Sequence, residues 1–108
     1  MIRIQYKNHR YAPVVICDIC EQRIAEVNMA VVVWPRRDGD EGELLEVWHV
    51  HKQHCLPIAD ERLGGREKAG WDELTNHLLS LTHNCGFTAE DFAAEAEASD
   101  KFGDFSLE

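Results

Sequence analysis

The chain has 108 residues, 44% hydrophobic and 29% charged, with a formal net charge of −9, the figures of an ordinary soluble globular domain. No apolar run approaches the ~20 residues that a membrane helix needs, the first residues lack the apolar core of a secretory signal, and an acidic total repels a phosphate backbone. These features set the expectation of one cytoplasmic domain over residues 1–108, with no membrane contact and with nucleic acid disfavoured as a partner.

A domain this short builds only a modest core. Its four cysteines, without an export signal, point to metal or buried thiols instead of a disulfide framework. The charge is uneven: residues 1–11 carry Arg3, Lys7 and Arg10 with no acid, whereas residues 87–108 carry seven acids against Lys101 alone.

Ile2, Ile4 and Tyr6 alternate with Arg3, Gln5 and Lys7, the period of a half-buried strand. Asn8-His9-Arg10 follows as a turn, and Pro13 to Ile16 leads into the first cysteine pair as an edge strand or strand start. Val27 to Trp34, with the β-branched run Val31-Val32-Val33 stopped by Pro35, is the strongest strand signal. Arg36 to Gly42 is turn chemistry, with Asp38-Gly39 able to supply a positive φ. Leu44 to His51 then returns as the second strand of a hairpin, with Val47, His49 and His51 on one face and Trp48 and Val50 on the other.

Pro57 suits a first helical turn, so Ile58 to Leu63 reads as a short helix stopped by Gly64-Gly65. Residues 64–70 read as a mobile connection. Trp71, Leu74, Leu78, Leu81 and Cys85 recur at helical spacing, which predicts a main helix over Trp71–Asn84 whose stripe packs on the hairpin, with Cys85 as a core thiol. Thr88 caps a last helix over Ala89–Ala98, with Asp91 as its capping-box partner and Phe87 stapled to Phe92. The chain is expected to fray past about residue 100.

The chemistry lies in Cys17-x2-Cys20 and His51-x3-Cys55. The first spacing lets one tight turn present two thiolates at ~2.3 Å from a zinc ion, and the second lets a turn or helix start aim an imidazole and a thiolate at the same point. One structural zinc held by Cys17, Cys20, His51 and Cys55 is the expectation. His54 is the alternative imidazole, disfavoured because adjacent side chains such as His54 and Cys55 converge poorly on one ion. His49 reads as a strand-face residue or a support for a ligand, and His77 and His83 as solvated. Two rivals stand beside the metal reading: cysteines as small buried hydrophobes with surface histidines, and a redox pair, which ordinarily opens a helix in a βαβ setting.

Knuckle, hairpin and ligand-bearing helix start together resemble a treble-clef zinc finger. They also resemble small bacterial zinc-binding proteins in which a CxxC knuckle pairs with a Val-His-Lys…Cys segment, here Val50-His51-Lys52 and Cys55. The resemblance covers roughly residues 14–63 and implies a fold and a metal, not an activity. The expected class is therefore α+β: a zinc knuckle plus β-hairpin over about residues 14–63, then two to three α-helices, with the helical half over about residues 70–99.

The chain has no Gly-rich phosphate loop, nucleophile elbow or HExxH. An enzymatic reading needs an open metal position, with a carboxylate such as Asp18 beside it, and three thiolates make zinc a poor Lewis acid. Trp34, Trp48 and Trp71 read as core packing, and Arg36-Arg37 as part of a charged loop. The expected role is a non-catalytic module that binds another protein, with a nucleic-acid-associated zinc finger as the alternative.

Overall fold

The computed structural model describes residues 1–36, 42, 44 and 46–98. Strands β1 (Ile2–Lys7) and β2 (Arg10–Val15) pair antiparallel through the two-residue loop Asn8-His9, whose φ values are 54° and 63°. Two successive left-handed residues give the loop a twist that matches its strands, and Asn accepts that conformation more readily than most residues. The alternation is that of a strand, but the half-burial expected from it does not occur. Ile2, Ile4 and Tyr6 are 59%, 63% and 58% exposed, because the pair enters the core at its base through Val14 and Ile16, on the face opposite theirs.

Strand β3 (Ala30–Pro35) is the centre of a second antiparallel sheet, ordered β4–β3–β5. Val31, Val32 and Val33 are all buried. Successive side chains point to opposite faces, so both faces of this strand are covered. Strand β4 (Trp48–His51) pairs with it in the register Val31 to Val50 and Val33 to Trp48. Both strands are shorter than the expected hairpin. Val27–Met29 form a 3-10 turn, and Leu44 and Val47 lie exposed outside β4. The Asp38-Gly39 turn and the frayed tail past residue 100 fall outside the described residues.

The largest departure concerns Trp71. It opens no helix; it sits in β5 (Ala69–Glu73), paired across from Val33 and 52% exposed. Gly, Asp and Glu are poor strand formers, so pairing with β3 overrides local propensity here. The connection before it is also structured, with a 3-10 turn at Arg66–Lys68 and Arg36 N–H bonded to the Lys68 carbonyl at 2.7 Å. Gly70 lies opposite Trp34, and a Cβ at that position would collide with the indole ring.

Three helices complete this α+β arrangement. Helix α1 (Leu56–Arg62) carries Pro57 in its first turn and buries Ala59. Helix α2 (Leu74–Asn84) packs Leu74 and Leu78 onto the core, but Leu81 is 47% exposed and Cys85 is exposed instead of being a core thiol. The core beneath α2 is met by Leu74 and Leu78, and the last turn, with Leu81 and Cys85, lies past it. Helix α3 (Ala89–Ala98) opens on the expected reciprocal cap: Thr88 N–H donates to Asp91 Oδ2 at 2.9 Å and Asp91 N–H to Thr88 Oγ1 at 3.0 Å. The Phe87 and Phe92 rings meet edge to face at 6.5 Å. Among the described residues no helix is long and apolar enough to cross a membrane.

Candidate metal centre

The first half-site grows out of the end of β2. Ile16 bridges to Arg23, and the turn between them closes through Cys17 N–H to the Gln22 carbonyl at 2.9 Å and Glu21 N–H to the Cys17 carbonyl at 3.0 Å. Glu21 takes the left-handed conformation (φ 60°) that so tight a turn requires. Inside the turn, Ile19 N–H points at Cys17 Sγ, 3.4 Å away. The second half-site spans the end of β4 and the start of α1. His51 is the last strand residue, and Cys55 immediately precedes the helix, its carbonyl taking the Ala59 N–H at 2.9 Å.

The fold brings these halves together. His51 Nδ1 lies 3.4 Å from Cys20 Sγ and 3.9 Å from Cys55 Sγ, and the ligand atoms of Cys17, Cys20, His51 and Cys55 all lie within 4.8 Å of one another. Donors on a tetrahedron with ~2.3 Å bonds sit about 3.8 Å apart, so the cluster has the dimensions of a four-coordinate site and can hold a metal ion. Cys17 and Cys55 are buried, His51 is half-buried and Cys20 is exposed.

The thiols respond to this crowding in opposite directions. Burial works to raise Cys17, but backbone N–H groups of Cys20, His51 and Ile19 aimed at its sulfur, with the Cys55 thiol, bring it down to about 6. Cys55 is pushed up to about 12, by burial and by the Cys17 and Cys20 thiols beside it. One thiolate forms readily and the next is resisted, which is how crowded acids behave without a cation among them. A bound dication reverses that order and deprotonates its thiol ligands outright.

Asp18 braces the two halves. Its N–H donates to the His49 carbonyl at 2.8 Å, and its Oδ2 accepts the His49 N–H at 2.8 Å and the Met1 ammonium at 2.9 Å. The carboxylate is thus occupied with backbone and stands outside the ligand cluster. His49 is largely enclosed: its Nδ1 is 3.8 Å from Asp18 Oδ2 and has no hydrogen-bond partner, and burial first, then the Met1 ammonium, holds its pKa below the usual imidazole range. The His77 ring, which the sequence suggested was solvated, is half-buried with its centroid 6.1 Å from that of His49. His54, His83 and Cys85 are exposed and lie outside the cluster. The bracing role of Asp18 was missed in the sequence; an acidic residue inside a CxxC turn was its one signal. No protein-family model, curated protein or solved structure matches the chain.

Proposed function

We propose that Cys17, Cys20, His51 and Cys55 hold one structural zinc ion, and that the protein is a non-catalytic module acting by docking onto another protein. The observation that carries this reading is the meeting of four soft donor atoms within 4.8 Å, drawn from segments 31 positions apart in the case of Cys20 and His51. Thiolate and imidazole donors select zinc among the abundant divalent ions by softness and geometry. The order of the parts, a cysteine turn, an antiparallel strand pair, and a helix starting at the last ligand, is read as treble-clef-like.

A shell of three thiolates and one imidazole leaves zinc no vacant position for water, so hydrolysis lacks its nucleophile. The ion instead stabilises the fold, since binding of order 10 kcal/mol in small zinc domains is folding free energy. The test is zinc stoichiometry on the protein as purified, followed by cobalt substitution. One zinc per chain, and a tetrahedral cobalt spectrum unchanged by added azide, supports the reading. A chain that retains no zinc refutes the metal, and a spectrum shifted by azide refutes the closed shell.

A second reading, association with nucleic acid, is favoured by one feature: Arg3, Lys7 and Arg10 on a hairpin with exposed Tyr6 and Tyr11. The net charge of −9 opposes it. A salt-sensitive shift with a single-stranded oligonucleotide supports this reading, and its absence at low salt removes it.

A further inference from the structure

The two faces of the β1–β2 hairpin differ in chemistry. Met1 and Ile16 exchange both backbone bonds at 2.7 Å. The next pairs of the same register, Ile2–Val15, Ile4–Pro13 and Tyr6–Tyr11, are therefore the non-hydrogen-bonded ones, whose side chains stand closest together. Cross-strand partners share a face, so these six residues form one surface without a charge. Arg3, Gln5, Lys7 and Arg10 lie on the other face, where Arg3 meets Glu21 at 3.7 Å and Val14 enters the core.

Beyond Val15, which packs against the core, the uncharged face is open. Ile4, in its middle pair, is 63% exposed, and Tyr11 is 75% exposed. With Ile2, Tyr6 and Pro13 they present roughly 550 Å², a patch of the size that marks a binding face. It is also held in shape: the two tyrosine rings lie 4.7 Å apart and Tyr6 Oη is 3.3 Å from His9 Nδ1, so little order is lost when the face docks. A two-stranded pair is only marginally stable until a further layer covers it.

We propose that this face is covered by the same face of a second copy, the two hairpins stacking about a two-fold axis into a four-stranded sandwich. The dimer rests on the binding-module reading, gives that module its partner, and makes no use of the metal. A two-fold contact sets a patch against itself, so a charged face would repel its copy, and this face has no charge to repel. The body behind it carries the net charge of −9, whereas no acid precedes Asp18, so two copies meet here at the least electrostatic cost. The area suffices. Two such faces bury about 1,100 Å² in total, above the roughly 1,000 Å² that a specific interface needs and at the weak end of the range. Pro13 turns its ring nitrogen to the outer edge of β2, where it removes the donor that an added strand would use. Stacking therefore uses the face, covers it on both copies, and closes the assembly.

The test is sedimentation equilibrium of the full chain as purified, at 1–200 µM in 50 and 500 mM NaCl. The expected result is a dimer with a micromolar dissociation constant that falls several-fold at the higher salt, which screens the repulsion between two acidic bodies. Ile4→Glu and Ile4→Lys should each be monomeric with wild-type circular dichroism, because each sets like charges against each other. An equimolar mixture of these two should dimerise again, the signature of a patch that faces its own copy. Tyr11→Ser, which touches no charge, should loosen the dimer about tenfold, and Gln5→Ser on the opposite face should leave it unchanged. A chain monomeric at 200 µM overturns the proposal, whether or not its hairpin binds a single-stranded oligonucleotide or a different protein. So does a dimer that both Ile4 variants and Tyr11→Ser leave intact, or one that high salt dissociates. Zinc measured on the same samples separates the two readings: a zinc-loaded monomer refutes the second copy as partner and leaves the metal standing, and a zinc-free dimer refutes the metal alone.

Discussion

Asp18 and His49 hold each other by two backbone-directed bonds, Asp18 N–H to the His49 carbonyl and His49 N–H to Asp18 Oδ2, both at 2.8 Å. Asp18 adjoins Cys17 and His49 is two residues from His51. The pair therefore fixes the spacing of the two half-sites before any ion arrives, which lowers the ordering cost of closing the shell.

Replacing Asp18 with Ala should weaken metal binding ten- to a hundredfold, the usual range for loss of a group that supports ligands from behind. It should also lower unfolding stability by ~1–3 kcal/mol, because the His49 amide loses a charged acceptor. Competition with a chromogenic chelator measures the first and urea titration the second. Unchanged affinity would mean that the half-sites need no brace.

Thiol labelling separates the cysteines. In the metal-loaded protein only Cys85, exposed and outside the cluster, should react promptly with an alkylating reagent, and chelation should raise the count to four. Cys85→Ser should change stability by less than about 0.5 kcal/mol, as surface substitutions do. Cys20→Ser should lose the metal and the cooperative thermal transition with it. Equal reactivity of all four thiols before chelation would contradict the site.

Much of this site is legible in the sequence, because metal-ligand spacing is local chemistry: a cysteine pair three apart and a histidine four before a cysteine keep their meaning wherever the chain runs. The central strand is legible for a similar reason, since a Val31-Val32-Val33-Trp34 run has little choice but a covered strand. What the sequence concealed was tertiary. Trp71 falls in helical register with Leu74 and Leu78 by coincidence, and only pairing of Ala69–Glu73 with β3 makes it a strand residue. Ile2, Ile4 and Tyr6 alternate as if half-buried, but alternation reports a strand, not what lies against it. Cys85 continues a stripe whose last turn the core does not cover.

Gly70→Ala should be among the most damaging single substitutions outside the cluster. The added methyl would enter the space of the Trp34 indole, so the ring must leave its place over the sheet. A loss of ~1–3 kcal/mol, as in overpacked cores, with a shift in tryptophan emission, is expected. An unchanged melting temperature would show that Trp34 moves freely.

The start of α3 should respond to acid. The Thr88 backbone N–H first, then its hydroxyl, holds the Asp91 carboxyl below the usual range. A depressed folded pKa means that the cap's contribution is fully present above the ordinary carboxylate value of ~3.9 and is lost as pH falls through the folded value. The Thr88 amide resonance should titrate with a midpoint below that value, and Asp91→Ala should abolish the titration. A midpoint at or above it would mean that the cap does not form in solution.

X-ray absorption at the zinc edge tests the central claim most directly. A shell held by Cys17, Cys20, His51 and Cys55 predicts three sulfur scatterers at ~2.3 Å and one imidazole nitrogen at ~2.0–2.1 Å, with no oxygen ligand. His51→Ala should remove the imidazole signal, and His54→Ala should leave it intact. Two imidazoles, a coordinated water, or a signal lost with His54 in place of His51 would contradict the site described here.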